Sequence, residues 1–456
     1  MRHLLVAVVV LAVSSTVDGS GVLEGSEAAS GRTDAHGVAA RVVYPLRAAP
    51  SRRYLVDRRG MPFLLIGDSP QALVANVSLK DVERFLSNRE KAGFNAVWVN
   101  LLCNSYTGGR KDGTTYDGIA PFRIPGNLST PNEAYFRRVD AIVRIAAKHG
   151  IAVFLDPIET GGWLPTLAKN GIARNAAYGR YLGKRYRKFP NLVWLNGDDY
   201  YRWPDPSWDA LVLAVARGIR ATDHVHIQTV QLSENPSLVD PRWAPLIQLD
   251  AIYTYAPAYA QILTEYNRPN FLPIFTAETN YELERNIRAQ TLRRQEYWTM
   301  LSGATGLLYG NHYTWQFPRG WKAHLSTKGV EQLRHMSKLF AGRPWFELIP
   351  DQNHVVVTER YGTFTTTGTV NDSDYVTTAR SPDGALAISY LPTLHSIVVN
   401  MAEFSGPVQA HWYDPASGTY VAIPGSPFPS SGEREFTPLG RNADGDGDWV
   451  LVLAAA

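Results

Sequence analysis

Two apolar stretches stand out in this sequence, Asn-Leu-Val-Trp-Leu-Asn-Gly-Asp-Asp (191–199) and Pro-Ile-Phe-Thr-Ala-Glu (273–278), and each ends in an acidic residue. Their pattern predicts two buried strands. Counted from the N-terminus, these are the fourth and the seventh strands of an eightfold strand–helix series. Near-continuous apolar strands joined by amphipathic helices indicate a parallel sheet that is buried on both faces. Eight such units predict a closed α/β barrel, the (β/α)8 or TIM barrel.

The repeating pattern runs from about residue 60 to residue 342. Ser78 is placed to cap a helix that continues to Gly93, and another helix is predicted over 132–149. The third strand is followed by Gly161-Gly162 in a predicted loop, and the next helix is predicted to start at about residue 170. The remaining predicted strands are 63–69, 95–102, 151–158, 224–230, 251–255 and 307–309.

The strand–helix pattern of the sequence ends after Pro344-Trp345. Turn signals such as Pro382-Asp383-Gly384 separate short alternating runs, which predict a small antiparallel β-sandwich. The run Asp444-Gly445-Asp446-Gly447-Asp448 lacks the downstream Glu of an EF-hand calcium loop, so we interpret it as a tight turn. The predicted strands of the sandwich are 375–379, 385–390, 396–400, 409–413 and 449–453.

The N-terminus has the pattern of a secretory signal. Arg2 and His3 precede a ten-residue apolar run, Leu4–Val13, which is too short to span a bilayer. We therefore expect a secreted protein, extracellular or periplasmic, that has no membrane association after signal cleavage. The expected organisation is a signal peptide at 1–19, a disordered leader at 20–40, the barrel at 41–345 and the sandwich at 346–456.

Composition argues against several classes of partner. The chain has 456 residues, 45% of them hydrophobic and 19% charged, and its net charge of +3 is too small to suggest a nucleic-acid partner. The single cysteine, Cys103, excludes an intrachain disulfide and is expected to be packed rather than reactive. No obligate protein partner is evident from the sequence.

Asp199 and Glu278 close the fourth and seventh predicted strands, on opposite sides of the ring. Chemistry in such barrels lies at the C-terminal ends of the strands. Cleavage of a glycosidic bond needs one carboxylic acid to protonate the leaving oxygen and a second carboxylate to attack the anomeric carbon or to activate water. The pair therefore predicts a carbohydrate substrate. The alternative is that each carboxylate binds arginine or backbone amides at the rim. Adjacent strand residues point to opposite faces, so only one of Asp198 and Asp199 is expected to address the cleft directly.

Other residues that follow predicted strands are candidates for binding sugar hydroxyls or for orienting the two carboxylates. Trp163 and Trp315 are predicted to lie in loops after the third and eighth strands, where each would contact substrate. The remaining candidates for substrate binding are Asp68, Asn100, Glu159, His226, Tyr253, Tyr255, Asn280, Tyr281 and His312.

Other chemistries fit the sequence less well. His224 and His226 form a strand pair without a nearby third ligand, so no metal site is expected. The chain has neither a Gly-Lys-Ser/Thr phosphate loop nor a Gly-x-Ser-x-Gly elbow, and no cofactor is expected. The competing hypotheses are a non-catalytic barrel that binds carbohydrate and an adhesin-like protein that acts through its sandwich.

Taken together, the motifs resemble those of the apiosidase-like glycoside hydrolases over roughly residues 50–455. That family pairs a (β/α)8 barrel with a C-terminal sandwich labelled as collagen-binding. The motifs are Leu-Leu-Ile-Gly-Asp-Ser (64–69), the run at 191–199, Ala-Glu-Thr-Asn-Tyr-Glu (277–282), Tyr-Trp-Thr-Met-Leu-Ser-Gly-Ala-Thr-Gly-Leu-Leu-Tyr-Gly (297–310) and Trp-Tyr-Asp-Pro-Ala-Ser-Gly (412–418).

The resemblance implies removal of β-apiose from plant pectin side chains or related glycosides. It maps the acid/base to Asp199 and the nucleophile to Glu278, with Tyr281 and Glu282 completing a Glu-x-x-Tyr-Glu pattern. The sequence departs from the family pattern at Asp198, at Thr279 and at Ser69-Pro70-Gln71. These departures lie near the predicted pocket, so they bear on the choice of sugar more than on the type of reaction.

Overall fold

The computed structural model describes residues 41–200 and 207–455, so the predicted signal peptide and leader lie outside the described residues. Eight parallel strands form one sheet, and the predicted α/β barrel is confirmed. The strands are β1 Leu65–Asp68, β2 Ala96–Asn100, β3 Ala152–Asp156, β4 Leu192–Asn196, β5 Gln228–Val230, β6 Asp250–Tyr253, β7 Ile274–Glu278 and β8 Gly306–Tyr309. Their order in the sheet is β5-β4-β3-β2-β1-β8-β7-β6.

The ring is completed between β5 and β6 by side chains and single hydrogen bonds rather than by a full strand ladder. The Ser237 hydroxyl donates to the carbonyl oxygen of Val230 and accepts from the Ala251 N–H at 2.9 Å. The N–H of Gln248 donates to the carbonyl oxygen of Gln228 at 2.9 Å. These bonds satisfy backbone groups that an open sheet edge would leave unpaired.

Helices follow the strands around the barrel. Ser78 caps the first of them, because its side chain accepts a hydrogen bond from the Asp81 N–H, as predicted. Helical residues begin at Thr160, within the predicted loop, and Gly171 interrupts them with non-helical φ 71° and ψ 169°. A second helical segment therefore starts close to the predicted residue 170. The longer helices are α1 Leu79–Lys91, α2 Glu133–Lys148, α3 Thr160–Tyr186, α4 Trp208–Arg220, α5 Ala258–Tyr266, α6 Ala289–Leu301 and α7 Lys328–Ala341. In the described ranges, no helix is both long and apolar enough to cross a membrane.

Apolar side chains fill the inside of the barrel. Trp98, Phe154 and Phe275 are buried in one cluster, and the rings of the two phenylalanines lie 5.5 Å apart. Side chains alternate along a strand, so Asn100 and Asp156 share the inner face with Trp98 and Phe154 and stand at the carboxyl ends of β2 and β3. The polar part of the barrel therefore lies at the carboxyl end of the sheet.

A small antiparallel sheet contributes Leu55 and Phe63 to the same cluster, next to the start of β1. It consists of Arg47–Ala48, Leu55–Val56 and Pro62–Phe63.

The C-terminal region contains a six-stranded and a three-stranded antiparallel sheet, as the predicted sandwich requires. The strands are β9 Ile349–Pro350, β10 Val357–Glu359, β11 Thr377–Arg380, β12 Leu386–Leu391, β13 Ile397–Asn400, β14 Val408–Asp414, β15 Thr419–Ala422, β16 Glu433–Phe436 and β17 Trp449–Ala455. Their orders in the two sheets are β9-β11-β12-β17-β14-β15 and β10-β13-β16. Apolar residues of both sheets, among them Ile397, Trp412 and Leu451, form one buried cluster.

Helix α6 joins the barrel to these sheets. Arg293 on this helix donates to both carboxylate oxygens of Asp448 at 2.8 Å and to Asp446 at 2.9 Å. Tyr297 stacks on Tyr390 of β12 with ring centroids 4.9 Å apart. The aspartate-rich turn before β17 thus binds an arginine of the barrel.

Candidate active site

Asp199 follows β4 after an abrupt change in backbone direction. Gly197, Asp198 and Asp199 have φ angles of 113°, 63° and 59°, which lie in the left-handed region. Such a conformation costs roughly 1–3 kcal/mol at a non-glycine residue, so the surrounding structure has to hold it. Thr160 at the start of α3 does so, because its hydroxyl lies 2.8 Å from the carbonyl oxygens of both Gly197 and Asp198.

This turn carries both aspartates beyond the end of β4. Asp198 is buried, and its Oδ2 accepts a hydrogen bond from Asn100 Nδ2 at 2.6 Å. Oδ2 of Asp199 accepts from the Tyr106 hydroxyl, and Asp199 is only partly buried. Strand alternation does not separate the two residues, because the extended backbone ends at Asn196. Burial separates them instead, and Asp199 is the more accessible of the two.

Glu278 is the last residue of β7. The pairing of β7 with β6 is irregular between Thr276 and Glu278, as in a β-bulge, and such an irregularity re-aims the side chain that follows it. The Oε1 atom accepts from the Tyr255 hydroxyl at 3.0 Å, and Tyr255 in turn accepts from the Tyr253 hydroxyl at 3.0 Å. Two tyrosines in series therefore hold one oxygen of the carboxylate.

Gln231 connects the two carboxylate residues. Its amide nitrogen donates to Oε2 of Glu278 at 3.1 Å, and its amide oxygen accepts from the backbone N–H of Asp199 at 2.6 Å. One planar side chain thus sets the position of Glu278 against the turn that carries Asp199. Oδ1 of Asp199 has no hydrogen-bond partner among residues 41–200 and 207–455.

The electrostatics of the site are dominated by buried negative charge. Burial, followed by the charges of Asp199 and Asp198, raises the pKa of Glu278 well above its ordinary value, and the hydrogen bond from Tyr255 opposes this rise. Burial and the charge of Asp199 also raise the pKa of Asp198, against the hydrogen bond from Asn100. Ionisation of either carboxyl is therefore opposed by the negative charge of its neighbours.

Two further carboxyl groups lie near Asp198. Burial, together with the charges of Asp198 and Asp156, raises the pKa of Glu159 to about 10. Burial and the charge of Asp198 raise the pKa of Asp156 well above its ordinary value. Glu159 is fully buried, and neither of its oxygens has a hydrogen bond of normal geometry within the described ranges. Its carboxyl group is enclosed and is not open to the cleft.

The structure brings together Asn100, Tyr253 and Tyr255 with the two carboxylates, as the strand-end positions predict. One more candidate, Tyr281, lies beside Glu278. Burial and the charge of Glu278 raise the pKa of Tyr281 well above its ordinary value, and its ring lies 6.3 Å from that of Trp315.

Three predicted residues occupy positions around this group. Trp315 belongs to a short helix, His312–Gln316, and not to a loop, and its Nε1 donates to Glu284 at 2.8 Å. His312 is half exposed, 3.6 Å from the same glutamate. Asn280 accepts a hydrogen bond from Gln295 at 3.2 Å.

Three other candidates do not face the carboxylates. Asp68 forms a fully buried ion pair with Arg89 of α1, on the helix side of the sheet. His226 precedes β5, which starts at Gln228 rather than at residue 224, and its Nδ1 lies 2.7 Å from Asp223 at the amino end of the strand. Trp163, on α3, is only 4% exposed and belongs to the hydrophobic core. These positions correct the prediction that the three residues bind substrate.

Two residues of the site were not predicted from the sequence. Gln231 lies just beyond β5, two residues after Thr229, so strand alternation continued past the predicted strand end at residue 230 would have indicated it. Tyr106 lies in the long loop after β2, where no periodicity applies. Its contact with Asp199 is visible only in the folded chain.

The fold and the site are those of a glycoside hydrolase-like barrel that carries a C-terminal sandwich. A family model described as "Apiosidase-like, catalytic domain" matches residues 49–347, and the chain therefore belongs to the apiosidase-like family. A second model, described as "Putative collagen-binding domain of a collagenase", matches residues 349–454. The family resemblance indicated by the sequence motifs is confirmed.

Solved structures with the same architecture support this fold. One, described as a glycoside hydrolase, is 21% identical, with 90% of this chain and 97% of that chain covered and a TM-score of 0.77. Another, a glycoside hydrolase family 5 protein from Bacteroides vulgatus, is 20% identical, with coverage of 90% and 93% and a TM-score of 0.76. At these identities the likeness concerns the fold alone. No curated protein matches the sequence.

Proposed function

We propose that this protein is a secreted retaining glycosidase that removes a terminal pentofuranosyl unit, apiose or a close relative, from a plant or microbial polysaccharide or glycoside. The observation that carries the proposal is the single glutamine, Gln231, that joins Asp199 and Glu278 at the carboxyl ends of two barrel strands. Two carboxyl groups at one barrel mouth are the equipment that glycoside hydrolysis requires.

In the first step, Glu278 attacks the anomeric carbon while the bond from that carbon to the leaving oxygen breaks. Asp199 gives its proton to the leaving oxygen, so the aglycone departs as a neutral alcohol and a glycosyl ester of Glu278 remains. In the second step, Asp199 takes a proton from water as the water oxygen attacks the anomeric carbon. The ester bond breaks, and both carboxyl groups return to their starting states.

The surroundings of Glu278 suit a nucleophile that must also leave. Tyr255 and Gln231 each donate to one of its oxygens, which orients the carboxylate and stabilises its charge when the glycosyl ester breaks. Burial and the negative charges of Asp199 and Asp198 raise its pKa, which strengthens it as a base and nucleophile once it is ionised.

The sugar is the part of the proposal that rests on family membership. The apiosidase-like match supports a terminal furanose, and the departures at Asp198 and Thr279 lie next to the two carboxylates. The first test is a panel of aryl furanosides and pyranosides, followed by pectin side chains and other plant and bacterial polysaccharides. Activity confined to pyranosides would reject the furanosidase assignment.

The stereochemical course tests the mechanism. Proton NMR of the first-formed product from an active glycoside should show that the anomeric configuration of the substrate is preserved. A retaining enzyme also needs its two carboxyl groups about 5–5.5 Å apart. An inverted product would reject Glu278 as nucleophile and would leave it as the base for a water molecule.

The second candidate function is carbohydrate binding without catalysis, through the barrel or through the sandwich. Purified protein would then bind polysaccharide in a pull-down assay but release no sugar from any member of the panel. Glu278→Gln separates the two functions, because it abolishes the proposed hydrolysis while leaving a pure binding protein unaffected.

A further inference from the structure

Tyr106 lies in the loop that follows β2. The side chain of Asn104 accepts a hydrogen bond from the backbone N–H of Tyr106 at 2.9 Å, which starts the single helical turn Ser105–Thr107. Gly108 then reverses the chain with φ 76°. The turn is thus held by its own local bonds, and it carries the tyrosine toward the barrel mouth.

The first turn of α3 is shaped to receive this ring. A Cβ atom on Gly161 would lie 2.2 Å from the Tyr106 ring, and a Cβ atom on Gly162 would lie 2.1 Å from the side chain of Asn104. Because only glycine leaves this space, the Gly161-Gly162 pair permits the loop to pack closely on the helix. Tyr106 is therefore seated against a fitted surface.

The opposite side of Tyr106 is open. The residue is 41% exposed, although its hydroxyl donates to Asp199. A tyrosine present only to satisfy the carboxylate could be covered by the loop, as Tyr255 is largely covered beside Glu278. Tyr106 instead presents a rigid apolar ring to solvent immediately beside the proposed acid.

The position of Tyr106 beside Asp199 matters for the proposed mechanism. A general acid has to come within hydrogen-bond reach, about 2.6–3.2 Å, of the oxygen that it protonates. In glycoside cleavage that oxygen belongs to the leaving group, so the leaving group packs on the side of Asp199 and the retained sugar on the side of Glu278. Within the part of the chain that the structure describes, Tyr106 is an exposed ring in contact with Asp199.

We propose that Tyr106 forms the leaving-group subsite: its ring packs on the flat face of a cyclic leaving group, and its hydroxyl holds Asp199 against the leaving oxygen. The inference rests on the proposed glycosidase function and extends it to the other half of the substrate. A sugar or aryl ring bonded directly to the scissile oxygen is the chemical class that fits, since both offer a face to a tyrosine ring.

The test compares two substrates that share one glycone and differ in the leaving group. With apiose as the glycone, these are an apiosyl-glucose disaccharide and methyl β-apiofuranoside. If the panel shows another active glycone, the same pair is made with that sugar. Both leaving groups are alkyl alcohols that need protonation, so the ratio of their kcat/KM values reports contacts with the leaving group itself.

Three variants separate the ring from the hydroxyl. Tyr106→Ala should lower the ratio of disaccharide to methyl glycoside by about fivefold or more, through loss of ring contact. Tyr106→Phe keeps the ring, so it should preserve the ratio while lowering kcat/KM for both substrates by the same factor. Tyr116→Ala is the matched control, an exposed tyrosine of the same loop that packs near Arg138, and it should change neither quantity.

An unchanged ratio in Tyr106→Ala would overturn the subsite even if wild-type protein and the Asp199 and Glu278 variants behave as the proposed function requires. A ratio lowered equally in Tyr106→Phe would overturn the role of the ring and leave only the hydroxyl. Failure of the proposed function looks different, because wild-type protein would then cleave neither substrate, and both proposals would fall together.

Discussion

Gln231 donates a hydrogen bond to Glu278 at 3.1 Å while its amide oxygen accepts from the backbone N–H of Asp199 at 2.6 Å. The geometry of the site therefore depends on an amide that itself carries no charge. A carboxylate held by donors on both oxygens keeps one orientation, which is what attack at a single carbon requires. Substitutions of Asp199 and Glu278, and of the Gln231 that connects them, therefore test the site.

The first prediction concerns the pair itself. Glu278→Ala and Asp199→Ala should each lower kcat/KM by at least about a thousandfold, or about 4 kcal/mol of transition-state stabilisation. Azide separates their roles, because it should rescue Asp199→Ala on an activated aryl glycoside with retained configuration and Glu278→Ala with inverted configuration. Steady-state kinetics and NMR of the glycosyl azides provide the measurement.

Asp198→Asn is the matched control for this pair. The new amide oxygen can still accept from Asn100, so the loss of activity should be far smaller. A dead Asp198→Asn protein beside an active Asp199→Ala protein would reverse the assignment of the acid.

The second prediction concerns pH. Burial and the charges of Asp199 and Asp198 raise the pKa of Glu278, so ionised nucleophile is lost as pH falls through that raised value. Asp199→Asn removes one of these charges and should move the acidic limb of kcat/KM to lower pH. The assay needs an aryl glycoside whose leaving group requires no acid.

Tyr255→Phe should shift the acidic limb of kcat/KM in the opposite direction. The hydrogen bond from Tyr255 lowers the pKa of Glu278, so its loss should move the same limb to higher pH. If Asp199→Asn and Tyr255→Phe shift the acidic limb in the same direction, that limb does not report the ionisation of Glu278.

The third prediction concerns Gln231. Gln231→Met keeps a side chain of similar length but removes both hydrogen bonds, so kcat should fall by about tenfold to a hundredfold with little change in KM. Circular dichroism and the melting temperature check that the fold is intact. Wild-type kcat in the folded variant would show that other contacts position Glu278.

The fourth prediction links the buried carboxyl of Glu159 to stability. Its pKa rises from 4.5 to about 10 in the fold, so the native state keeps a proton that the unfolded chain releases between these values. The free energy of unfolding should therefore decrease as pH rises through this window, by up to about 1.4 kcal/mol per pH unit for one proton. Glu159→Gln removes that contribution, and urea unfolding at several pH values should give a shallower slope.

Glu133→Gln is the control for that experiment. Glu133 is an exposed partner of Arg185, which lowers its pKa, so the variant should leave the slope between neutral and alkaline pH unchanged. Identical slopes for wild type and Glu159→Gln would mean that Glu159 is ionised in the native state.

The fifth prediction concerns the contact between α6 and the aspartate-rich turn. Arg293→Met leaves the fully buried Asp448 without its cation and should lower the free energy of unfolding by about 3–5 kcal/mol. Arg288→Met removes an arginine that is 67% exposed and bound to Asp446, so it should cost less than about 1 kcal/mol. Equal costs for the two variants would show that burial of the pair contributes nothing.

Periodicity in the sequence was sufficient to predict the barrel, the sandwich, the strand that precedes Asp199 and the strand that ends at Glu278. The reason is local, because alternation, helical spacing and caps such as Ser78 are properties of neighbouring residues. The same signals failed at α3, where Gly161-Gly162 resembles a loop. Those glycines lie in the first turn of a helix, where Tyr106 and Asn104 pack closely against them, and that contact is distant in sequence.

The carboxyl ends of the strands also mark where periodicity stops. Gly197, Asp198 and Asp199, all with positive φ angles, turn the chain after β4, and a shortened β5 leaves His226 at the opposite end of its strand. Gln231 and Tyr106 join the site through hydrogen bonds to residues far along the chain. The sequence by itself determined which strands carry the carboxylates. Only the tertiary structure decided how those carboxylates are oriented and which side chains hold them, because such contacts follow from packing between distant segments and have no period.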